Sequence, residues 1–188
     1  MIKIEEIFNF HANYCCNQLK EKRFTHAQMN PLVENLKSFK GFEVTKLGES
    51  IEKRDINLVK FGNGKLKVFL WSQMHGDEPT ATMCFFDIFN FFNSEDNFNQ
   101  IRNFLLEHIT FYFIPMLNPD GAERINRRNA AGIDINRDFL RQSSPESQIL
   151  KNLALNIKPD FGFNMHDQDY RWAAGDSNKL ATISFLSP

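Results

Sequence analysis

Two histidines and one glutamate in this chain have the residue types and the spacing of a catalytic metal site. His75 and Glu78 are separated by three positions in the segment HGDE, and His166 lies much further along the chain. Catalytic zinc prefers three protein ligands from His and Asp or Glu, with a fourth position left for water or substrate. Taken alone the HxxE pair is weak, because a turn histidine bonded to the backbone gives the same spacing. The other three histidines lack a carboxylate at such spacing after a strand and are interpreted as structural: His11, His26 and His108.

A second polar segment contains arginine and asparagine side chains within a dozen residues. It runs through NRRN at 126–129 and GIDINRD at 132–138. A planar guanidinium binds a carboxylate with two parallel hydrogen bonds, which a lysine cannot do. Beside a metal site, this loop would suggest a ligand with an anionic group. The alternative is a solvated loop in which the arginines pair with Asp134 and Asp138.

Helices alternate with strands that are nearly unbroken apolar runs. The pattern predicts helices over residues 2–22, 30–38, 80–92 and 145–156, and strands over 42–47, 54–61, 65–71, 109–116 and 160–164. Gly62-Asn63-Gly64 is typical of a hairpin turn. Continuous apolar strands alternating with helices indicate an α/β fold with a mixed, largely parallel central sheet flanked by helices.

Each conspicuous polar cluster follows the end of a predicted strand. HGDE follows the strand at 65–71, NPDG at 118–121 follows the strand at 109–116, and His166 follows the strand at 160–164. Open α/β sheets bind their ligands at the carboxyl ends of their strands. The clusters are therefore expected to share one crevice.

Composition excludes several classes of protein. The chain has 188 residues, of which 42% are hydrophobic and 24% charged, with a formal net charge of -1, as in a globular domain rather than a nucleic-acid-binding or membrane-surface protein. No segment approaches the ~20 apolar residues of a membrane span. The start, MIKIEEIFNF, lacks the features of a signal peptide, which predicts a cytoplasmic protein if Met1 is the true start. Cys15, Cys16 and Cys84 have no disulfide-framework spacing and are interpreted as buried free thiols.

The order of these motifs resembles one family. HxxE after a strand, NPDG after the next, an RxN…GxDxNRD loop and a later strand-end histidine are similar to the zinc carboxypeptidases, the carboxypeptidase A/B-like metallopeptidases. The resemblance runs from about Phe39 to the end of the chain. It divides the chain into a helical lead-in at 1–38 and a catalytic-type domain at 39–188 whose C-terminal part is missing.

The resemblance implies a single zinc ion and a role for each matching polar residue near it. His75, Glu78 and His166 match the family's zinc ligands. Asp134 matches the aspartate that hydrogen-bonds a ligating histidine and so orients its ring.

The same resemblance implies how a peptide with a free C-terminal carboxylate would be bound. Arg127 matches the arginine that stabilises the oxyanion of the tetrahedral intermediate, with the adjacent Arg128 as the competing assignment. Asn136 and Arg137 match the pair that binds the substrate's terminal carboxylate.

The family's general base, a glutamate on a late strand, has no counterpart here. After His166 the chain contains three aspartates and no glutamate: Asp167, Asp169 and Asp176. Asp167 and Asp169 are poor substitutes, because Asp167 directly follows a ligand and should point elsewhere, and Tyr170 is not assigned as the family's mobile tyrosine. The sequence thus predicts a metallocarboxypeptidase as parent protein, and a 188-residue chain that binds zinc weakly or imperfectly and has negligible peptidase activity. The alternatives are an N-acyl amino acid deacylase on the same scaffold and a non-catalytic protein that binds zinc or peptide C-termini.

Overall fold

Five strands form one sheet with the order β1-β2-β4-β3-β5. A computed structural model describes residues 4–168 and 173–181. The strands are β1 Phe42–Glu49, β2 Asp55–Phe61, β3 Leu66–Trp71, β4 Ile109–Ile114 and β5 Phe161–Asn164. The described helices are α1 Ile4–Asn9, α2 His26–Asn35, α3 Thr80–Asn93, α4 Asn99–His108, α5 Pro119–Glu123, α6 Ile135–Asp138 and α7 Pro145–Ile157, with short 3-10 helices at His11–Asn13, Asn17–Leu19 and Leu36–Ser38. Among the helices described, none has both the length and the apolar character needed to cross a bilayer.

The predicted mixed sheet flanked by helices is confirmed. β3 lies between β4 and β5 and runs parallel to both. β2 is antiparallel to β1 and to β4. Parallel pairing is therefore restricted to the three strands whose carboxyl ends carry HGDE, NPDG and His166.

The hairpin predicted at Gly62-Asn63-Gly64 is wrong, because β4 lies between β2 and β3. The turn instead crosses the start of β4, where the Asn63 amide donates to the Leu106 carbonyl over 2.9 Å. A Cβ atom at Gly64 would lie 1.7 Å from the His108 carbonyl carbon. The glycines thus allow the backbone to pass close to the start of β4. Helix α4, which the sequence patterns did not predict, directly precedes β4 and leads into its position between β2 and β3.

Two apolar clusters cover the two faces of the sheet. Phe113 packs with the α3 residues Phe85 and Phe89 on one face. On the other face, Ile114 packs in a cluster with Leu150 of α7. Because successive side chains of a strand point to opposite faces, a strand covered on both sides reads as a continuous apolar run. This burial explains the unbroken apolar run that predicts β4, whereas β5 is exposed along its length.

The N-terminal helices begin and end at other residues than predicted. The helix predicted over 2–22 ends at Asn9 and is followed by two short 3-10 helices. The helix predicted from residue 30 begins at His26, so Pro31 lies inside α2. Thr25 and Gln28 form a capping box, in which each side chain hydrogen-bonds the backbone amide of the other. The Thr-x-x-Gln pattern was the available signal for this start.

A hydrogen-bonded ion pair connects the N-terminal segment to α4. Asp96 accepts hydrogen bonds from the buried Arg102 guanidinium and from the Tyr14 hydroxyl, both over 2.7 Å. The hydrogen bond from Arg102 lowers the pKa of the Asp96 carboxyl to about 2. Burial raises this pKa by a smaller amount, and the hydrogen bond from Tyr14 lowers it further. The ionised carboxylate therefore stabilises the folded state.

We expect Asp96→Asn to lower the free energy of unfolding at pH 7, with a smaller effect in acid. The folded-state pKa of about 2 is below the ordinary value of 3.8, so the stabilisation is present above pH ~4 and is lost as pH falls through about 2. Urea unfolding at pH 7, 4 and 3 measures the difference between variant and wild type, with Glu95→Gln as the neighbouring control. A difference that stays constant over this range contradicts the account.

Candidate metal centre

Parallel pairing of β3 with β5 brings the two histidine-bearing segments together. Trp71, the last residue of β3, pairs with Asn164, the last residue of β5. HGDE follows Trp71 by a few residues, and His166 follows Asn164 by two. Residues far apart in sequence therefore meet at one edge of the sheet, as expected for strand-end loops.

The Glu78 carboxylate lies between the two histidine rings. Its Oε1 is 2.8 Å from His75 Nδ1, and its Oε2 is 2.7 Å from His166 Nδ1. One ligand atom from each of the three residues lies within 4.8 Å of the others. His75 is buried, whereas the His166 side chain is 30% exposed. Two imidazole nitrogens and a carboxylate, open on one side, are a donor set that fits catalytic zinc.

The Glu78 carboxyl carries the negative charge that a cation needs. Its burial favours the neutral acid, but the hydrogen bonds from His166 and His75 outweigh burial and lower the Glu78 pKa to about 2. Glu78 is therefore ionised at neutral pH.

Asp134 orients the His75 ring from the other side. Its Oδ1 lies 3.2 Å from His75 Nε2 and also accepts the Asn136 amide, which caps α6. Burial of Asp134 raises its pKa, but the hydrogen bond from His75 and the charge of Arg127 lower it by more. An ionised Asp134 accepts the Nε2 proton, so that a metal can replace the proton that His75 Nδ1 shares with Glu78 in the metal-free chain.

Arg127 lies beside two of the three candidate ligands, His75 and Glu78, whereas Arg128 hydrogen-bonds elsewhere. Arg127 Nη1 is 3.0 Å from His75 Nδ1 and 3.4 Å from Glu78 Oε1, and Arg127 Nε donates to Asp134 over 3.1 Å. Arg128 Nη1 instead donates to the Gly132 carbonyl over 2.9 Å. Of the two arginines, only Arg127 is placed to meet a group bound at the metal.

Asn136 and Arg137 begin α6 next to Asp134. Asn136 Oδ1 accepts a hydrogen bond from Asn164 at the end of β5. The Arg137 guanidinium is exposed, and no acidic side chain within the described residues pairs with it. Asp138 is not its partner, because that buried carboxylate accepts hydrogen bonds from Ser144. Asp134 pairs with Arg127, so the solvated-loop alternative accounts for one arginine but leaves Arg137 available for an anionic ligand.

Comparison with known proteins assigns the family. The family model for zinc carboxypeptidases matches residues 32–167, well over half of the chain, including all three candidate ligands. The chain belongs to the zinc carboxypeptidase family. It is a hydrolase-family relative of known metallocarboxypeptidases, as the motif order indicated.

Relatives and solved structures agree with this assignment. Mouse cytosolic carboxypeptidase 6 is 30% identical over 132 residues, which cover 64% of this chain and 24% of that protein. The metallo-carboxypeptidase from Pseudomonas aeruginosa, solved with (2-guanidinoethylmercapto)succinic acid, is 29% identical with a TM-score of 0.66 and matches 78% of this chain and 40% of its own. The Burkholderia cenocepacia metallo-carboxypeptidase shares the fold, with a TM-score of 0.72 at 24% identity over 78% of this chain and 42% of its own. The chain thus spans less than half the length of these proteins.

NPDG and the glycine of HGDE position the loop that carries His75 and Glu78, a role that the sequence patterns did not assign. Asn118 Nδ2 donates to the Met74 carbonyl, just before His75, and to the Arg127 carbonyl. A Cβ atom at Gly76 would lie 2.0 Å from the Gly121 carbonyl carbon. Glycine in both motifs was the available signal for this close contact between the two loops.

Asp167 points away from the candidate metal centre, as the sequence predicted. Its carboxylate accepts hydrogen bonds from the Thr80 amide and hydroxyl, both over 2.9 Å, at the start of α3. Asp169 and Tyr170 lie outside the described residues. Asp176 is exposed. Asp167 is thus a support for α3 and a poor candidate for the general base.

We expect Asp134→Asn to weaken zinc binding by ~10–100-fold, the usual effect of losing a partner of a ligating histidine. An amide oxygen accepts the Nε2 proton less strongly, so His75 loses its fixed tautomer. Competition with a fluorescent zinc chelator measures the affinity. Asp160→Asn is the control, because Asp160 accepts the Lys67 amide at the opposite end of β3. Equal zinc affinity in Asp134→Asn and wild type would refute the orienting role.

Proposed function

We propose that this chain carries the metal-binding and carboxylate-binding parts of a zinc-dependent metallocarboxypeptidase that releases C-terminal residues from peptides. The observation that carries the proposal is the convergence of His75 Nδ1, the Glu78 carboxylate and His166 Nδ1 beside the Arg127 guanidinium. A metal site alone supports many reactions. The arginines beside it select substrates with an anionic group.

His75, Glu78 and His166 would hold the zinc ion, with Asp134 fixing the His75 tautomer. Bound zinc supplies a Lewis acid for the scissile carbonyl and lowers the pKa of a water molecule toward ~7. The exposure on the His166 side leaves room for peptide to approach.

Arg127 would stabilise the oxyanion of the tetrahedral intermediate. Its guanidinium already lies within 3.4 Å of two candidate ligands, so it faces whatever is bound there. A cation fixed beside a developing negative charge stabilises the transition state more than the substrate. Removal of one such donor typically lowers the rate by ~10²–10³.

Asn136 and Arg137 would bind the terminal carboxylate of the peptide. Arg137 is exposed and lacks an acidic partner in the described part of the chain, so its paired N–H donors are available to a carboxylate. Binding of the terminal carboxylate at this position fixes its distance from the zinc site, which restricts cleavage to the last peptide bond.

Among the residues that the structure describes, none is placed to act as the general base. No glutamate follows His166 in the sequence, and Asp167 is bonded to Thr80. We therefore propose that residues 39–188 bind zinc and peptide C-termini without appreciable turnover, with residues 1–38 as a lead-in. Robust peptidase activity of the purified chain, lost in Glu78→Ala, would contradict this.

Binding of paired peptides tests the proposed substrate class. Zinc-loaded protein should bind a short peptide with a free C-terminus and should bind its C-terminal amide much more weakly, as measured by calorimetry. Arg137→Ala should remove the preference, whereas Arg141→Ala, which changes an exposed arginine four residues later, should retain it. Equal binding of acid and amide would refute carboxylate recognition. For the complete gene product, peptide binding without hydrolysis would select the non-catalytic alternative.

A further inference from the structure

A second group of metal-binding side chains lies outside the candidate catalytic centre. It consists of His11 and Cys15 in the N-terminal segment and Asp87 on α3. His11 Nε2 lies 3.2 Å from Asp87 Oδ2 and 3.7 Å from Cys15 Sγ. One ligand atom from each residue lies within 4.8 Å of the others. His11 and Cys15 precede the residues matched by the family model, so the family does not explain their convergence.

Two of the separations between these atoms match those of tetrahedral zinc. Zinc–ligand bonds of about 2.0 Å to oxygen, 2.0–2.1 Å to nitrogen and 2.3 Å to sulfur, at tetrahedral angles, place nitrogen and oxygen ~3.3 Å apart and nitrogen and sulfur ~3.6 Å apart. The observed 3.2 Å from His11 Nε2 to Asp87 and 3.7 Å from His11 Nε2 to Cys15 are close to both values. Cys15 Sγ also lies 3.6 Å from His11 Nδ1, beside the imidazole ring, so zinc binding at Nε2 requires rotation of the Cys15 or His11 side chain.

The carboxylate is already oriented for such a role. Asp87 Oδ1 accepts the Cys16 amide over 2.7 Å, which leaves Oδ2 directed toward His11. Ligating carboxylates in metal sites are commonly held by hydrogen bonds of this kind. Nearby, Asn90 of the same helix donates to the Tyr14 carbonyl over 2.9 Å, so this stretch of the N-terminal segment is docked on α3.

The negative charge of the Asp87 carboxylate favours a cation beside His11 and Cys15. The His11 side chain is 56% exposed, so an ion has access from solvent.

We propose that His11, Cys15 and Asp87 form a second site for a zinc-class divalent cation, distinct from the His75–Glu78–His166 centre. The bound ion links the N-terminal segment to α3, the helix that begins two residues after Glu78. His11, interpreted from sequence as structural, and Cys15, interpreted as a buried thiol, are then ligands. Thiolate, imidazole and carboxylate together suit zinc or cobalt better than magnesium or calcium.

Cobalt binding separates the two centres, because only the second contains sulfur. Titration of the metal-free protein with Co²⁺ should load two ions and produce a thiolate-to-cobalt charge-transfer band in the near ultraviolet. Cys15→Ser should lose the band and retain one cobalt ion. His11→Gln should weaken binding at the same site by at least ~10-fold. Cys16→Ser is the matched control and should keep the band, since the Cys16 thiol faces Gln18.

A His75→Ala, His166→Ala double variant should keep the charge-transfer band while losing the other cobalt ion. This outcome holds whether or not the proposed peptidase function is correct. Absence of the band in wild type, or its persistence in Cys15→Ser, would overturn the second site. Circular dichroism of each variant checks that the fold is retained.

Discussion

Glu78→Gln should strongly weaken zinc binding at the candidate metal centre, whereas Asp77→Asn should leave it nearly unchanged. Glu78 contacts both candidate histidine ligands and, with a pKa lowered to about 2, is ionised at neutral pH. The amide retains the shape of the side chain but removes the charge and one acceptor oxygen. Loss of a direct ligand should exceed the ~10–100-fold effect of losing an outer partner, so we expect the dissociation constant to rise by at least ~100-fold.

Asp77 is a close control for Glu78. It lies in the same HGDE segment and is exposed to solvent. Both substitutions remove one negative charge from the same loop, so a general electrostatic effect would appear in both variants. Competition with a chelator, on protein in which Cys15→Ser removes the proposed second site, measures the affinity. Similar losses in the two variants would refute direct ligation by Glu78.

Asp120→Ala should lower the free energy of unfolding by about 3 kcal/mol, the lower end of the range for breaking a buried ion pair. Asp120 is fully buried in NPDG and accepts hydrogen bonds from Ser50, the Glu52 amide and Arg54 over 2.6, 3.0 and 2.7 Å. Its removal leaves these donors without their acceptor. The value is at the lower end because the Arg54 side chain is 26% exposed and can regain water.

Glu43→Ala is the control for Asp120→Ala. Glu43 pairs with Lys60 over 3.1 Å, but its side chain is 67% exposed, so the loss should be ~0–1 kcal/mol. Urea unfolding of the metal-free protein measures both variants. A loss below ~1 kcal/mol for Asp120→Ala would show that the NPDG carboxylate does not hold the β1–β2 connection to α5.

The strands and the crevice were predictable because each depends on a short segment of sequence. An apolar run indicates a buried strand, and the polar residues directly after it lie at the strand's carboxyl end. β3 and β4 contribute residues to the apolar clusters on both faces and have apolar sequences. Polar residues at their carboxyl ends predict a crevice there, although Asn118 and Asp120 of NPDG support the loops instead of lining a binding site. The same pattern predicts that His166 lies near HGDE. The prediction for His166 is correct because Trp71 and Asn164, the last residues of β3 and β5, pair in parallel.

Strand order and helix starts depend on contacts that the sequence pattern does not show. A Gly-Asn-Gly turn usually joins paired strands, but here α4 delivers β4 between β2 and β3, so tertiary packing overrides the turn signal. The proline at position 31 predicts a helix start at residue 30, but α2 begins at His26 and contains the proline in its interior.

In the candidate site, the residues that could bind metal were predictable and those that position them were not. His75 and Glu78 have distinctive chemistry, whereas Asn118 and Gly76 act through the backbone of neighbouring loops. Likewise His11, Cys15 and Asp87 come together only through docking of the N-terminal segment on α3. No short-range spacing joins residue 15 to residue 87.

Crystals of the protein loaded with zinc, measured on both sides of the zinc absorption edge, test whether His75, Glu78 and His166 bind the metal. We expect an anomalous difference peak bounded by His75 Nδ1, the Glu78 carboxylate and His166 Nδ1, with the Arg127 guanidinium at its side. A zinc-saturated crystal with no peak among these three side chains would show that they are not the zinc ligands.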